Sequence, residues 1–267
     1  MSGRMLVTGA TGYLGGHVVS RAMAAGWQVV SSARSGGERV DIRDRGAVLA
    51  LLRRLRPDAV VHTAVGRERQ DWATTADGAA NVAVAAVGCR LAHVSSDAVF
   101  SGRDVEYAES ALPDPVNRYG AAKAAAETAV RAVLPEAVIV RTSLLLGDGN
   151  GQHERLTHDL ITGRLAGALY TDQIRCPAHV GDVAAALVEL AAGDHHGVVN
   201  VAGPEAISRY DLGVLVARRD GLDAGALPSA TLAESAEPRP ADVRLRLDLA
   251  SNIIRTPLRG AGEFLAV

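Results

Sequence analysis

Tyr119 and Lys123 stand four residues apart in Tyr119-Gly120-Ala121-Ala122-Lys123. On a helix that spacing puts both side chains on one face. An ammonium beside a phenol favours the phenolate and lowers the phenol's pKa toward working pH, so the pair suits proton transfer. Ser95-Ser96 closes the apolar run Leu91 to Val94, and a hydroxyl at such a strand end can hydrogen-bond a carbonyl oxygen. Ser96, Tyr119 and Lys123 are therefore the candidate catalytic residues. Composition sharpens the choice: of 28 Lys plus Arg, 27 are Arg and Lys123 is the single lysine. A GC-rich coding bias accounts for the scarcity of lysine but not for where the survivor sits. A spread guanidinium does not replace a compact ammonium in shape or donors.

A second constellation lies near the start. Thr8-Gly9-Ala10-Thr11-Gly12-Tyr13-Leu14-Gly15 follows the strand-like Met5-Leu6-Val7 and opens a helical stretch. Three glycines at that junction serve a tight turn, close approach of backbone to a pyrophosphate, and close helix–strand packing. The helix start adds amide donors and a favourable dipole. Gly9, Thr11, Gly12, Tyr13, Leu14 and Gly15 are thus candidate dinucleotide ligands, and Lys123 is placed to hold the nicotinamide ribose. NAD-selective folds carry an acid at the end of the second strand. Here the segment reads Ser31-Ser32-Ala33-Arg34-Ser35, without an acid. Arg34 offers a charged fork for a 2′-phosphate, so NADP(H) is preferred and NAD(H) is the alternative. Asp41 and Ile42 follow and border the adenine.

These residues need a scaffold, and the chain supplies one by alternation of short apolar runs with amphipathic stretches, the pattern of βαβ units. Strands are expected at Met5–Val7, Gln28–Ser31, Ala59–His62, Leu91–Val94 and Val138–Val140. Helices are expected over Tyr13–Ala25, Ala47–Arg56 (with Leu49, Leu52 and Leu55 on one face), Ala79–Val87 and Tyr119–Val133. After residue 146 a glycine-rich loop, helices over His153–Leu165 and Val183–Ala192, and a strand at Val198–Val201 follow. The expected architecture is α/β: a Rossmann-type doubly wound parallel sheet (1–147 and 176–202) with a small C-terminal substrate-binding lobe (148–175 and 203–267).

Composition removes other classes. Apolar residues are 48% and charged residues 22% of 267, which excludes a disordered chain. A net charge of −2 with interleaved signs argues against nucleic-acid or anionic-membrane binding. No apolar run has the length of a membrane span, Met1 to Arg4 carry no signal-peptide pattern, and two cysteines form no disulfide framework. A cytoplasmic location is expected. His153, His158, His195 and His196 lack zinc-ligand spacing, so no metal is expected. Asp97 either orients the site or caps a turn. A homodimer is left open.

The chain resembles an extended short-chain dehydrogenase/reductase, most nearly the dTDP-4-dehydrorhamnose reductases. Thr8–Gly15 resembles the TGxxGxxG loop, and Val94-Ser95-Ser96-Asp97-Ala98-Val99-Phe100 resembles VSTDYVF. Asn117 to Lys123 resembles NxYGxxK, and Val140-Arg141-Thr142-Ser143 resembles the RTS strand. Arg175 to Asp182, Gly203-Pro204-Glu205, Ser208-Arg209-Tyr210 and Arg239 to Leu245 continue the likeness into the C-terminal lobe. The resemblance implies Ser96 at the catalytic Ser/Thr position, Tyr119 as general acid and Lys123 as the residue that lowers its pKa. Ala64 and Val65 border cofactor and substrate, and Val65, Asp97 and Ser143 are substrate-binding candidates. The implied reaction is NADPH-dependent reduction of a nucleotide-linked 4-keto-6-deoxy sugar, as in deoxysugar biosynthesis. Rival readings are an NAD-dependent sugar-nucleotide epimerase or dehydratase, and a non-catalytic NADP-binding regulatory subunit such as that of methionine adenosyltransferase. Three features depart from the family: Ala98 in place of Tyr, Leu144-Leu145-Leu146 in place of an aromatic pair, and the loop 66–77.

Overall fold

A computed structural model describes residues 3–66, 68 and 71–266; within the divergent loop, Arg67, Arg69 and Gln70 lie outside the described residues. Seven strands form one parallel sheet: β1 (Arg4–Thr8), β2 (Gln28–Ala33), β3 (Glu38–Arg39), β4 (Ala59–His62), β5 (Arg90–Ser96), β6 (Val138–Thr142) and β7 (Gly197–Asn200). Their order is β7-β6-β5-β4-β1-β2-β3. The direction of winding reverses between β1 and β4, which opens a crevice at the carboxyl edge where ligands bind.

Side chains alternate across a strand, so each strand feeds two cores. Met5, Val7, Val61, Val94 and Val140 enter the layer under α1 (Tyr13–Ala24) and α6 (Val180–Ala192). Leu6, Val60, Leu91 and Ile139 enter the opposite layer, covered by α2 (Arg45–Leu55), α3 (Gly78–Ala85) and α4 (Arg118–Val133). Asp44 caps α2 by accepting the Ala47 amide at 3.0 Å. The buried face of that helix is Val48, Leu51, Leu52 and Leu55, and Leu49 stays half-buried.

Several boundaries differ from the sequence expectation for local reasons. The edge strand β3 was not expected; Gly36 and Gly37, with φ of 90° and 61°, fold the chain back so that Glu38 and Arg39 pair with Ser32 and Ala33. Helix α6 begins at Val180 because the His179 ring accepts the Gly181 amide at 3.1 Å. Helix α5 (Gln152–Ile161) stops early, before Gly163 at φ 68°. A π-helical turn, Ala73–Asp77, leads into α3.

Outside the sheet, α5 and α7 (Arg209–Arg219) pack with Leu160, Leu169 and Leu227 in one cluster and Leu146, Leu212, Val216 and Leu265 in another. Short ladders pair Leu145–Leu146 with Ala178–His179, and Val105–Tyr107 with Val243–Leu245. The segment after residue 246 returns to the large sheet, where Ala250 and Ile254 join the α6 layer. No helix among the described residues is long and apolar enough to cross a membrane.

Candidate active site

The crevice beside β1 is lined by Thr8, Gly9, Thr11, Gly12, Ser32–Ser35, Val40–Ile42, Thr63–Val65 and Thr74. The structure therefore brings together Gly9, Thr11, Gly12, Arg34, Asp41, Ile42, Ala64 and Val65. Each glycine has a separate task. Gly9 turns the chain at φ 75°, and a Cβ there would lie 2.6 Å from the Ala64 backbone. A Cβ on Gly15 would lie 2.1 Å from the Gly9 carbonyl, so Gly15 permits the first turn of α1 to pack on the loop. Gly12 is the N-cap and offers no side chain to the first-turn amides, which leaves them for an anion. Ser32 Oγ is buried in the lining without a partner. This donor set fits a dinucleotide phosphate.

Tyr13 and Leu14 are placed outside that lining. The Tyr13 hydroxyl donates to Asp148 at 2.7 Å, and burial together with that carboxylate holds the phenol well above its usual range. Leu14 points into the core. Only their backbones remain for a phosphate. Arg34 is exposed at the rim. Asp41 is held by Arg43, whose Nε lies 2.9 Å from Oδ1, and its carboxyl is lowered to about 2, mainly by that bond. The Asp41 charge is thereby compensated and does not oppose a phosphate. Arg34→Ala is expected to weaken NADP binding about tenfold or more, as loss of a charge-assisted hydrogen bond does. NAD binding should change less than twofold; isothermal titration with both cofactors measures the difference.

Ser96 and the Lys123 ammonium lie at the carboxyl end of β5, and the first turn of α4, which carries Tyr119, docks there. Ser96 ends the strand and is half-buried; its Oγ accepts the Ala98 amide and lies 3.2 Å from Asp97 Oδ1. Asn117 caps α4 by accepting the Gly120 amide at 2.9 Å, so Tyr119 falls in the first turn and Lys123 one turn on. Gly120 lets this turn dock: a Cβ would lie 2.0 Å from the Ala98 carbonyl. Lys123 is 4% exposed and its Nζ donates to the Val94 carbonyl at 2.9 Å. Burial pushes the ammonium down to about 8, while the Glu127 carboxylate pulls it back up. His62 and His93 stack at 5.2 Å in the layer facing α4 and are held neutral by burial. The His62 ring pairs with Thr8 Oγ1 at 2.6 Å.

Sequence reasoning missed the support beneath this site. Glu127, one turn beyond Lys123, accepts from Ser95 Oγ at 2.6 Å and from Arg141 at 2.9 and 2.8 Å. Arg141 is 1% exposed, donates also to the Glu109 and Ala111 carbonyls, and lies over the Phe100 ring. The available signal was period: Tyr119, Lys123 and Glu127 recur every four residues on α4. Asp97 and Ser143, expected at the substrate, are buried, and Ser143 Oγ donates to Asp97 Oδ2 at 2.7 Å. Asp97 Oδ1 also accepts from Ser96 Oγ at 3.2 Å. Among the described residues no cluster has the make-up of a metal site.

Doubly wound sheet, glycine loop and Ser–Tyr–Lys arrangement define a dinucleotide-dependent oxidoreductase of the short-chain type. The chain belongs to the RmlD substrate binding domain family, whose model matches residues 3–261. It is 32% identical to a probable low-salt glycan biosynthesis reductase of Haloferax volcanii, over 92% of this chain and 89% of that protein. It is 30% identical to the methionine adenosyltransferase 2 subunit beta of Rattus norvegicus, over 86% and 75%. Among solved structures, a dTDP-4-dehydrorhamnose reductase of Bacillus anthracis in complex with NADP superposes with a TM-score of 0.87 at 25% identity, covering 99% and 96% of the two chains.

Proposed function

We propose that this protein reduces the 4-keto group of a nucleotide-linked 6-deoxy sugar with NADPH. The observation that carries the reading is a buried ammonium one turn from Tyr119, with Ser96 at the adjoining strand end and a crevice at the glycine loop on the same carboxyl edge of the sheet. The likeness to a reductase solved with NADP supports the cofactor and the substrate class. Held at the glycine loop and Arg34, NADPH would supply a hydride to the carbonyl carbon. Tyr119 transfers its hydroxyl proton to the carbonyl oxygen, completing the alcohol. Ser96 donates a hydrogen bond to that oxygen as charge develops on it. Lys123 stabilises the resulting tyrosinate, which regains its proton from solvent.

The β-subunit kinship carries a non-catalytic alternative, and the retained Ser96, Tyr119 and Lys123 weigh against it. An epimerase or dehydratase with tightly held NAD is disfavoured by Arg34 at the end of β2, where an acid would grip the ribose. Reducing surroundings suit the free thiols of Cys89 and Cys176 and fit a cytoplasmic enzyme. The test is NADPH oxidation with dTDP-4-keto-6-deoxy sugars and a panel of other ketones. Consumption of NADPH equal to alcohol formed is expected with the sugar nucleotides. Binding of NADPH with no turnover on any ketone overturns the reading in favour of the regulatory one.

A further inference from the structure

We propose that Asp97 is a positioning residue that fixes the Ser96 hydroxyl and fastens it, through Arg175, to the smaller lobe. The inference rests on the reductase reading, in which Ser96 meets the carbonyl oxygen.

Asp97 is 5% exposed, yet no backbone amide among the described residues donates to its carboxylate. It is therefore not a turn cap. The turn over Asp97–Val99 is capped instead by Ser96 itself, which accepts the Ala98 amide. The neighbours of the carboxylate come from three separate segments: Ser96 Oγ at 3.2 Å, Ser143 Oγ at 2.7 Å and Arg175 Nε at 3.6 Å. A buried carboxylate persists only with a charge and hydrogen bonds to compensate its lost hydration, and here each of them is a part of the machinery or its frame.

Arg175 carries the link outward. It is 5% exposed, and its terminal nitrogens donate to the Ala241 carbonyl at 2.9 Å and the Pro240 carbonyl at 2.7 Å. Gln173 donates to the same Pro240 carbonyl at 3.2 Å, and the Ala241 amide bonds back to Ser101 near the end of the β5 loop. One guanidinium thus joins two lobe segments, 174–175 and 240–241, to the acid next to Ser96. A planar fork with five donors meets these divergent acceptors; an ammonium cannot.

The consequence for chemistry is positional. Ser96 Oγ accepts the Ala98 amide and gives its one proton to Asp97; the oxygen is thereby held in place, and the hydroxyl turns that proton from Asp97 to the carbonyl oxygen when the substrate is bound. An oxyanion donor acts only within about 2.7–3.1 Å of the oxygen it serves, and a misplacement of about 1 Å costs roughly 10²-fold.

The experiment is a double-mutant cycle between Asp97→Asn and Ser96→Ala, read by kcat, by NADPH affinity and by the isotope effect with 4-deuterated NADPH. Asp97→Asn is expected to lower kcat about 10- to 100-fold and to raise the isotope effect as the chemical step becomes limiting. NADPH affinity should stay within twofold, because none of its lining residues is touched. In the Ser96→Ala background the same change should cost less than threefold, since its effect acts through Ser96. Arg175→Lys should reproduce the loss in kcat more weakly. If Asp97→Asn does not fold, Ser143→Ala removes one bond to the carboxylate and is expected to show the same non-additivity with Ser96→Ala. Losses that multiply across either cycle, or a fall in melting temperature with kcat of the folded enzyme unchanged, overturn the positioning role while leaving the reductase reading intact. A wild-type enzyme that turns over no ketone overturns both.

Discussion

Tyr119→Phe should cost about 10²- to 10⁴-fold in kcat, the range for removal of a general acid. The ring remains and the cofactor crevice is untouched, so NADP affinity should stay within a few-fold. Lys123→Met should be comparably severe. Lys123→Arg should not rescue it, because Nζ sits 2.9 Å from the Val94 carbonyl in a space 4% exposed, too confined for a guanidinium. The pH profile carries the sign. Burial brings the Lys123 ammonium down to about 8. Below that pH the charged form stabilises the tyrosinate left after proton transfer; above it the charge is lost. The reductase rate should therefore fall as pH rises through about 8. A basic limb that stayed flat to pH 10, measured under single-turnover conditions, would remove Lys123 from this role.

Arg141→Met is expected to destabilise the fold by about 3–5 kcal/mol, the cost of leaving one partner of a buried ion pair alone. Arg141 and Glu127 are 1% and 0% exposed and pair at 2.8 Å. Without the guanidinium, Glu127 loses both Arg141 bonds and keeps the Ser95 hydroxyl and the nearby Lys123 charge. The double change Glu127→Met with Arg141→Met should recover much of the loss, since an apolar pair of similar volume restores packing without a buried charge. Urea unfolding of the three variants measures this. A double variant as unstable as the single one would mean that the carbonyl contacts of Arg141 to Glu109 and Ala111, and not its charge, hold the site together.

Elements with a strong period or a fixed motif were legible in the sequence. Met5–Val7 and Val138–Val140 are buried on both faces and read as continuous apolar runs, and the glycines at 9, 12 and 15 sit at the strand–helix junction that their function demands. Two-residue strands such as Glu38–Arg39 were not legible, because pairing there is set by a turn and a neighbouring strand and carries no side-chain period. The side-chain surroundings of Leu14 and Tyr13 were not legible for a related reason. A motif specifies where the backbone runs, and the side chains then follow the core and the Asp148 loop. Asp97, Ser143 and Arg175 meet from distant positions, and Glu127 with Arg141 likewise. Their partnership depends on the register of β5 against β6, where Ser95 faces Arg141 and Ser96 faces Thr142.

The single lysine has a bearing on covalent chemistry at the protein surface. With Lys123 enclosed between α4 and β5, no lysine side chain is offered to solvent. Acylating reagents, acyl-phosphate metabolites and conjugation systems that target ε-amines meet a shell of guanidinium groups that they do not modify. Their one side-chain target is buried, with its Nζ on the Val94 carbonyl, and is shielded while the fold is intact. Loss of the fold and exposure to amine-directed modification thus become a single event in this chain.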